Sequence, residues 1–374
     1  RHLMNKTHDT IIVGGGIAGL ACAQELTRLN KDFLMLTENI GGRIETSKKG
    51  QVNYGAYLIG PDCTNMLTCA KKVRRLHPFG TKLHNQKESY TLWRLFRHPL
   101  CLFKLLKITR KFRKEYKVFK KNCHQMTQKK AFELSPFLLG LYKQNAADFV
   151  KENQLNKVID HLLDESVYLC TFVESKQLNA FDFMHILMHF DLPIYEFYFD
   201  SKKFTQPFKN KIKIKSVKSV KKGKIHQIKT AKKIYHAHNL VIATPISVSK
   251  KLLKLKKIKG PINSYCFHVK GDLKPKWAQS SLHLFDDHSD IIFISTQADK
   301  THLIYAKTAK LDLKNYFKTH TIIAKKHWKP AFNLIGEQIL DANQGSNIYM
   351  IGDYNVCGME DSFITGVWAA RQIT

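Results

Sequence analysis

The sequence is short of acidic residues, of long apolar runs and of paired cysteines. Its 374 residues carry 61 Lys and Arg against 30 Asp and Glu, a formal net charge of +31. No uninterrupted apolar run approaches the roughly 18–20 residues that a membrane-spanning helix needs, and no signal peptide is recognisable. We therefore expect a cytoplasmic, basic protein. The charge indicates either attraction to anionic partners or a lysine-rich composition without a specific role.

The eight cysteines are scattered, and none forms a C-x-x-C pair. Zinc sites and redox dithiols commonly use such pairs, so the spacing predicts neither a metal site nor a catalytic dithiol. Hydrophobic residues make up 44% and charged residues 24% of the chain, which is typical of a globular protein. We expect reduced cysteines, no bound metal, and a chain long enough for two domains.

A strand, a glycine-rich turn and a helix follow one another near the start of the printed sequence. Thr10 to Val13 is a short, largely β-branched run, and the spacing Gly14-x-Gly16-x-x-Gly19 follows it directly. In this dinucleotide-binding fingerprint the first glycine permits the tight turn and the second lets the backbone approach the pyrophosphate. The third lets the helix pack closely on the strand. The pattern therefore predicts a dinucleotide site.

The same fingerprint places two further groups at the site. The helix begins with Ile17 and Ala18, and its N-terminal N–H groups and positive dipole end face the phosphates. A second predicted strand, Phe33 to Leu36, ends at Thr37-Glu38. An acidic residue about 20 positions past the glycines binds the ribose hydroxyls in such folds. We favour Glu38 for this role, with Thr37 as the alternative.

Gly41-Gly42-Arg43 comes just after this strand end. A dinucleotide fingerprint followed by Glu and then by Gly-Gly-Arg resembles the two-glycine-motif flavoproteins. That group includes amine oxidases, phytoene desaturases, protoporphyrinogen oxidases and renalase-like proteins. The resemblance implies that these three residues contact FAD, and a glycine backbone and a forked guanidinium both suit a pyrophosphate. Between Glu38 and Gly41 only two residues remain, fewer than is usual in the family, so the strand end is remodelled.

Three later segments also resemble this family. The first is similar to a D-x-G-A step near the flavin, with Asn where Asp is often found. The second is a β-meander predicted over 211–244, beginning at Ile212, turning at Gly223 and closing on a run similar to V-I-x-A-T-P. The third is a strand, a Gly-Asp pair and a helix that points its N-terminus at the flavin, with Asp361 where the family often has Gly. The resemblance assigns these segments the cofactor contacts Asn53, Gly55, Ala56, Val217, Ala243, Thr244, Pro245, Gly352, Asp353, Met359 and Glu360.

Together the motifs predict an α/β fold with a discontinuous, Rossmann-like FAD-binding domain that includes the β-meander. We assign 4–75, 205–255 and 336–374 to it. The inserts 76–204, mostly helical, and 256–335, mostly strands, predict a mixed α+β substrate domain.

The resemblance implies an FAD-dependent oxidoreductase of the amine oxidase or desaturase type. In that family hydride passes from an amine or an apolar small molecule to N5 of the flavin, and no catalytic side chain need exist. The sequence accordingly names no catalytic residue. Cysteine is absent between Cys266 and Cys357, so we expect FAD to be held non-covalently. The alternative is a flavin-bound protein without turnover that serves as a membrane-surface binding or assembly factor.

Residues 91–121 combine positive charge with helical periodicity, and we expect a helix to begin at Pro99. From 94 to 121 there are eleven Lys and Arg and one acid. An apolar face with i, i+3/i+4 spacing is formed by Leu105, Ile108, Phe112, Tyr116 and Phe119. Two interpretations stay open: the helix packs this face on its own domain, or it lies on an anionic membrane surface and makes the protein peripheral at the inner face of the membrane. Nucleic-acid binding is not expected, because no nucleic-acid motif accompanies the charge, and the oligomeric state is not predicted.

Overall fold

A computed structural model describes residues 6–47, 52–56, 58–159, 163–256, 261–333 and 338–373. Strands and helices alternate at both ends of this range, and a helical region and a strand-rich region lie between them. The predicted mixed α/β fold class is confirmed. Within the described ranges, no helix combines the length and the apolar composition needed to cross a bilayer.

The strands are numbered in chain order: β1 Thr7–Val13, β2 Phe33–Thr37, β3 Leu58–Ile59, β4 Ala70–Leu76, β5 Lys82–His84, β6 Ser89–Thr91, β7 Ile194–Phe199, β8 Ile212–Ile214, β9 Val217–Lys221, β10 His226–Thr230, β11 Ile234–Ile242, β12 Pro261–Leu273, β13 Leu282–Phe285, β14 Ile291–Thr296, β15 His302–Ala306, β16 Phe317–Asn333 and β17 Ile348–Met350. The helices are α1 Ile17–Arg28, α2 Pro99–Cys123, α3 Gln128–Glu133, α4 Pro136–Lys143, α5 Ala146–Glu152, α6 Asn156–Val158, α7 Asp164–Thr171, α8 Ala180–Leu187, α9 Ser201–Thr205, α10 Ile246–Leu253 and α11 Met359–Gln372.

The first sheet runs in the order β8-β2-β1-β11-β10-β9, with β17 beside the end of β11. β1 pairs in parallel with both β2 and β11, and β17 is parallel to β11. Parallel strands need both faces covered, and α1 and α11 pack against each other in the buried cluster over this sheet. The carboxyl ends of β1, β2, β11 and β17 therefore share one edge of the sheet, where ligands bind in open α/β folds.

The predicted β-meander is partly wrong. β9, β10 and β11 do form consecutive antiparallel pairs, but β8, which contains Ile212, leaves the ribbon and pairs in parallel with β2 at the far side of the sheet. The N–H of Lys215 continues that contact by donating to the carbonyl of Thr37 at 2.7 Å. Alternating apolar residues specify a strand but not its neighbour, so the meander begins at Val217.

Two further sheets contain the remaining strands. One runs β16-β12-β15-β14-β13-β5-β6, and a smaller one runs β3-β7-β4. All strands of the first sheet come from the segments assigned to the FAD-binding domain. The larger of the other two takes its strands from the two inserts. The exact domain boundaries remain a prediction, and positions 4, 335, 336 and 374 lie outside the described residues.

Helix α2 begins at the predicted Pro99 and buries the predicted apolar face. Leu105, Phe112, Tyr116 and Phe119 are each 2% exposed or less. Their aromatic rings pack with Phe181 of α8. The interpretation in which this face packs on its own domain is therefore the one that the structure supports.

Candidate cofactor site

Two glycine-rich turns meet at the carboxyl edge of the first sheet. Gly14 has φ +110°, and a side chain on Gly19 would clash with the carbonyl oxygen of Gly14. The N–H of Gly41 donates to the carbonyl of Gly15 at 2.8 Å, and Gly16 forms a parallel bridge with Gly41. A Cβ added to Gly42, which has φ +59°, would lie 2.9 Å from the Cα of Gly16. The two predicted glycine motifs therefore form one layered backbone surface.

This surface is open at Gly16. A Cβ built on this residue meets no protein atom within 4 Å, whereas side chains on its neighbours in the motif would clash. Gly16 also serves as the N-cap of α1, with no side-chain cap and no acidic residue in the first turn. The N–H groups at the start of a helix have no partner within the helix, so the turn around Ile17 and Ala18 offers donors and a positive dipole end.

Arg43 and Asp353, which the resemblance assigns to opposite ends of the chain's cofactor contacts, form an ion pair. The Arg43 Nη2 atom lies 2.7 Å from the Asp353 Oδ2 atom. Burial alone would lower the pKa of Arg43, but the negative charge of Asp353 raises it, so the guanidinium stays charged. Gly352, with φ +131°, donates its N–H to Thr365 Oγ1 at 3.0 Å. The pairing of these two residues has no counterpart in sequence spacing.

The two candidates for the ribose contact differ in their surroundings. Thr37 is 4% exposed, and its hydroxyl donates to the carbonyl of Asn39 at 2.6 Å. Glu38 is exposed and accepts a 2.6 Å hydrogen bond from the hydroxyl of Ser216. Ser216 directly precedes β9, so Glu38 connects the end of β2 to the start of the ribbon. An accessible carboxylate is the better placed of the two to accept a ribose hydroxyl.

The segment from Asn53 to Ala56 is held by contacts that could not be predicted from the sequence. The Asn53 amide donates to the carbonyl of Phe197 at 2.7 Å. The N–H of Ala56 donates to the carbonyl of Arg43 at 2.9 Å, and a side chain at Gly55 would clash with that carbonyl. Asn53 therefore anchors the segment to β7, and Gly55 and Ala56 hold it against Arg43.

Side chains of the strand-rich insert hold the same segment from its other side. Trp328 Nε1 donates to the carbonyl of Tyr54 at 3.0 Å, and the Tyr305 hydroxyl donates to the carbonyl of Gly55 at 2.9 Å. Burial raises the pKa of Tyr54 to about 12. Neither Tyr305 nor Tyr54 was singled out from the sequence, because the Tyr305 hydroxyl bonds to distant backbone and the Tyr54 hydroxyl to the distant His268 ring, and no motif records either contact.

The end of β11 forms the wall beside the first glycine turn. The N–H of Ala243 donates to the carbonyl of Val13 at 2.8 Å. Thr244 shares a 2.9 Å hydrogen bond with Ser249 of α10, and Pro245 is the N-cap of that helix. Val217 lies farther out, half-buried at the start of β9. Ala243 and Thr244 thus lie next to the glycine turn, and the contact of Ala243 to Pro245 with the cofactor stays a prediction.

Helix α11 brings its N-terminus to the site from the last part of the chain. Its N-cap, Gly358, has no side-chain cap. The buried Glu360 carboxylate instead accepts hydrogen bonds from the N–H groups of Asn65 and Met66, at 2.9 and 3.0 Å. The side chain of Glu360 therefore fixes the 64–66 turn, and the backbone around Met359 is what this helix can offer a cofactor.

A buried acid lies beside this helix start. Asp361 accepts 2.6 Å hydrogen bonds from the Tyr116 hydroxyl of α2. Burial raises the pKa of Asp361 to about 7, although the hydrogen bond from Tyr116 opposes the shift. The sequence marked Asp361 only as a departure from the family pattern, and the structure supplies its partner.

The donor set fits a dinucleotide such as FAD. Gly16 leaves a backbone cradle that a single Cβ would fill, the N-terminus of α1 supplies N–H groups, and Arg43 supplies a positive charge. Each of these groups favours a pyrophosphate. No group of three or more His, Cys, Asp or Glu side chains suited to a metal ion occurs in the residues that the structure describes.

The first part of the chain is similar to known dinucleotide-binding proteins. Residues 12–72 match the family model of an NAD(P)-binding Rossmann-like domain. Over 94 residues the chain is 35% identical to the flavin-containing amine oxidase B of Cavia porcellus. That alignment covers 22% of this chain and 18% of the relative's length.

The likeness in structure extends over nearly the whole chain. A putrescine oxidase bound to putrescine superposes with a TM-score of 0.68 at 11% identity, covering 98% of this chain and 99% of that one. A fatty acid isomerase from P. acnes, which produces CLA, superposes with a TM-score of 0.70 at 11% identity, covering 96% and 97%. At this identity the likeness establishes the fold. The fold that the resemblance to the FAD amine oxidase and desaturase group predicts is therefore confirmed.

Proposed function

We propose that this chain, which has the fold of the FAD amine oxidase and desaturase superfamily, is an FAD-dependent oxidoreductase. Its substrate is an amine or an apolar small molecule that gives up hydride. The observation that carries the proposal is the layered glycine surface, open at Gly16 and lying at the N-terminus of α1. The amine oxidase relative and the two neighbours in structure support it.

The pyrophosphate would be held by the backbone of Gly14 to Gly19 and by the glycines at 41 and 42. Arg43 would neutralise one of its charges, and its existing ion pair with Asp353 holds the guanidinium in place. Glu38 would accept ribose hydroxyls, and Asp353 a hydroxyl of the ribityl chain. Val217 would contact the adenine through its backbone.

Bound FAD would supply the acceptor for hydride from the substrate. The chain's own contribution is positioning and exclusion of water. The N-terminus of α11 would offer a positive dipole end to the cofactor, while Trp328 and Tyr305 hold the Tyr54–Gly55 backbone next to Arg43. No side chain is assigned a proton-transfer role. FAD would be held non-covalently.

Replacement of Gly16 by Ala tests the cofactor site directly. The added Cβ meets no protein atom within 4 Å, so the apoprotein should keep its unfolding temperature. The same Cβ occupies the cradle, so FAD affinity, measured by titration of apoprotein, should fall about tenfold or more. Gly140→Ala is the matched control, since its Cβ also meets nothing within 4 Å but lies in α4. Wild-type protein that takes up no FAD would overturn the proposal.

Anaerobic reduction separates turnover from mere flavin binding. The holoprotein should lose its flavin absorbance when mixed with the right member of a panel of primary amines, polyamines and apolar polyenes. Bleaching by the amines assigns the amine oxidase branch, and bleaching by the polyenes assigns the desaturase branch. A yellow protein that none of these compounds reduces would instead favour the non-catalytic alternative, a flavin-bound binding or assembly factor at a membrane surface.

A further inference from the structure

A cluster of exposed aromatic side chains precedes helix α2. The rings of Phe79, Trp93 and Phe96 pack against one another, with centroids 4.8 to 5.9 Å apart. Trp93 and Phe96 nevertheless remain 62% and 56% exposed. Leu100 and Phe103 follow in the first turns of α2 and are 79% and 66% exposed. We call these five residues the apolar patch, and an exposed patch of this kind marks an interaction surface.

The solvent face of α2 continues from the patch as a row of cations. Leu100, Phe103 and Val118 share this face at helical spacing. The acid of this helix, Glu115, is half-buried and lies off the row. The exposed cations of the row are Lys104, Lys107, Arg110, Lys111, Lys114, Lys117 and Lys121.

A pocket opens beside the patch. It has a volume of about 390 Å³ and is lined by Lys82, Ser89, Thr91, Trp93, Arg94 and Arg97. Arg94 is held in place by a two-bond ion pair with Glu88, at 2.5 and 2.6 Å. The pocket therefore joins cationic and hydroxyl donors to the exposed indole of Trp93. These are donors that a phosphate group can accept from.

An anionic bilayer surface matches all three features. Basic residues next to such a surface are attracted to its headgroups, and aromatic and aliphatic side chains enter the boundary between headgroups and acyl chains. A nucleic acid would match the cations and could stack on the aromatic rings, but it has no use for exposed Leu100 and Val118. The apolar side chains thus favour lipid over nucleic acid.

We propose that the apolar patch and the cationic row of α2 dock this protein on an anionic phospholipid surface, with a lipid phosphate in the adjoining pocket. The orientation is opposite to the one that helical periodicity alone suggests. The regular apolar face of α2, including Phe112 and Phe119, is buried in the protein, so the membrane meets the other side. The proposal is independent of the flavin and of any reaction.

Flotation of this protein with vesicles tests the proposal. Vesicles of phosphatidylcholine with about one-third phosphatidylserine should carry the protein at low salt, and pure phosphatidylcholine vesicles should not. Binding should weaken as salt rises, because screening shortens the reach of the charges. Trp93 emission should shift to the blue on binding, since its indole leaves water.

Two variants separate the apolar from the electrostatic contribution. Trp93→Ser/Phe96→Ser should lose most vesicle binding and its spectral shift. Lys107→Glu/Lys111→Glu/Lys114→Glu should lose at least about fivefold per charge, the effect of one basic residue near an anionic surface. All five positions are exposed, so thermal unfolding should match the wild type.

The pocket is lined by residues of β5 and β6, at one edge of the larger strand-rich sheet. Strand β16 forms the opposite edge of that sheet and provides matched controls. Ile322→Ser/Ile323→Ser removes exposed apolar side chains there, and Lys310→Glu/Lys314→Glu/Lys318→Glu makes the same change of charge in and before that strand. Both should bind vesicles as the wild type does. Failure of the wild type to bind at low salt would overturn the proposal. So would equal losses in test and control variants, or binding of single-stranded RNA by a protein that does not bind the vesicles.

Discussion

Helices α1 and α2 represent two ways in which this chain uses a helix. In α1, nine of the twelve residues are buried and the functional part is its backbone start. In α2, only six of 25 residues are buried and the functional part we propose is its exposed side. A backbone site requires glycines at fixed positions, so a motif reveals it. A side-chain surface requires only charge and exposure, which no motif records.

We expect the largest loss in the free energy of unfolding from a substitution that disrupts the packing of α1. Gly19→Ala places a Cβ against the carbonyl oxygen of Gly14, and neither backbone can move freely. We expect about 4 kcal/mol or more to be lost from the free energy of unfolding, measured by urea denaturation. Gly16→Ala, three residues earlier, should leave that free energy unchanged. Similar losses in the two variants would refute the distinction between a packed and an open glycine.

The next effect contrasts the two faces of α2. Phe112 is 0% exposed and Phe103 is 66% exposed. Phe112→Ala should cost about 3–4 kcal/mol, because a buried ring leaves a cavity. Phe103→Ala should stay within about 0.5 kcal/mol, the usual range of a surface substitution. Thermal or urea unfolding of both variants checks the pair. Equal costs would mean that the exposed side of α2 is covered by the chain itself.

The third effect depends on pH and concerns the buried contact between α2 and α11. Tyr116 of α2 donates to Asp361 of α11, the helix that packs on α1. Burial raises the folded pKa of Asp361 from 3.8 to about 7, so the folded state holds the proton more tightly than the unfolded state. The wild type should therefore lose stability as pH rises from about 4 to about 7.

Asp361→Asn removes this titration while keeping an acceptor for Tyr116. The difference between its unfolding temperature and that of the wild type should grow in favour of the variant as pH rises from about 4 to about 7. Above about pH 7 the difference should stay constant. Parallel curves for the two proteins from pH 4 to pH 8 would contradict the shift. The measurement is a series of thermal melts in matched ionic strength.

Features that depend on neighbouring residues along the chain could be predicted from the sequence, whereas features that depend on distant residues could not. The strand, turn and helix around Gly14 to Gly19 were predictable, since each depends on neighbours along the chain. The start of α2 at Pro99 was predictable for the same reason. The parallel pairing of Ile212 to Ile214 with β2 was not, because alternation does not choose a partner strand.

The site divides in the same way. Gly41, Gly42 and Arg43 carry a motif, but the ion pair of Arg43 with Asp353 joins residues that only the fold brings together. The hydrogen bonds of Asn53 and Glu360 to distant backbone groups are equally silent in the sequence. The cluster of Phe79, Trp93 and Phe96 depends on two short 3-10 turns, Pro78–Gly80 and Leu92–Arg97. The secondary-structure propensities of their residues do not predict these turns.

The packing of α11 on α1 also has a consequence for synthesis on the ribosome. A side chain at Gly366 would clash with the carbonyl of Ala18, so the two helices are in close backbone contact. During synthesis α1 leaves the ribosome long before α11 is made. Until α11 is present, the side of α1 that packs on it stays exposed. Domains of this size expose such surfaces to aggregation while they wait. The nascent chain should therefore depend on chaperones until α11 has been released.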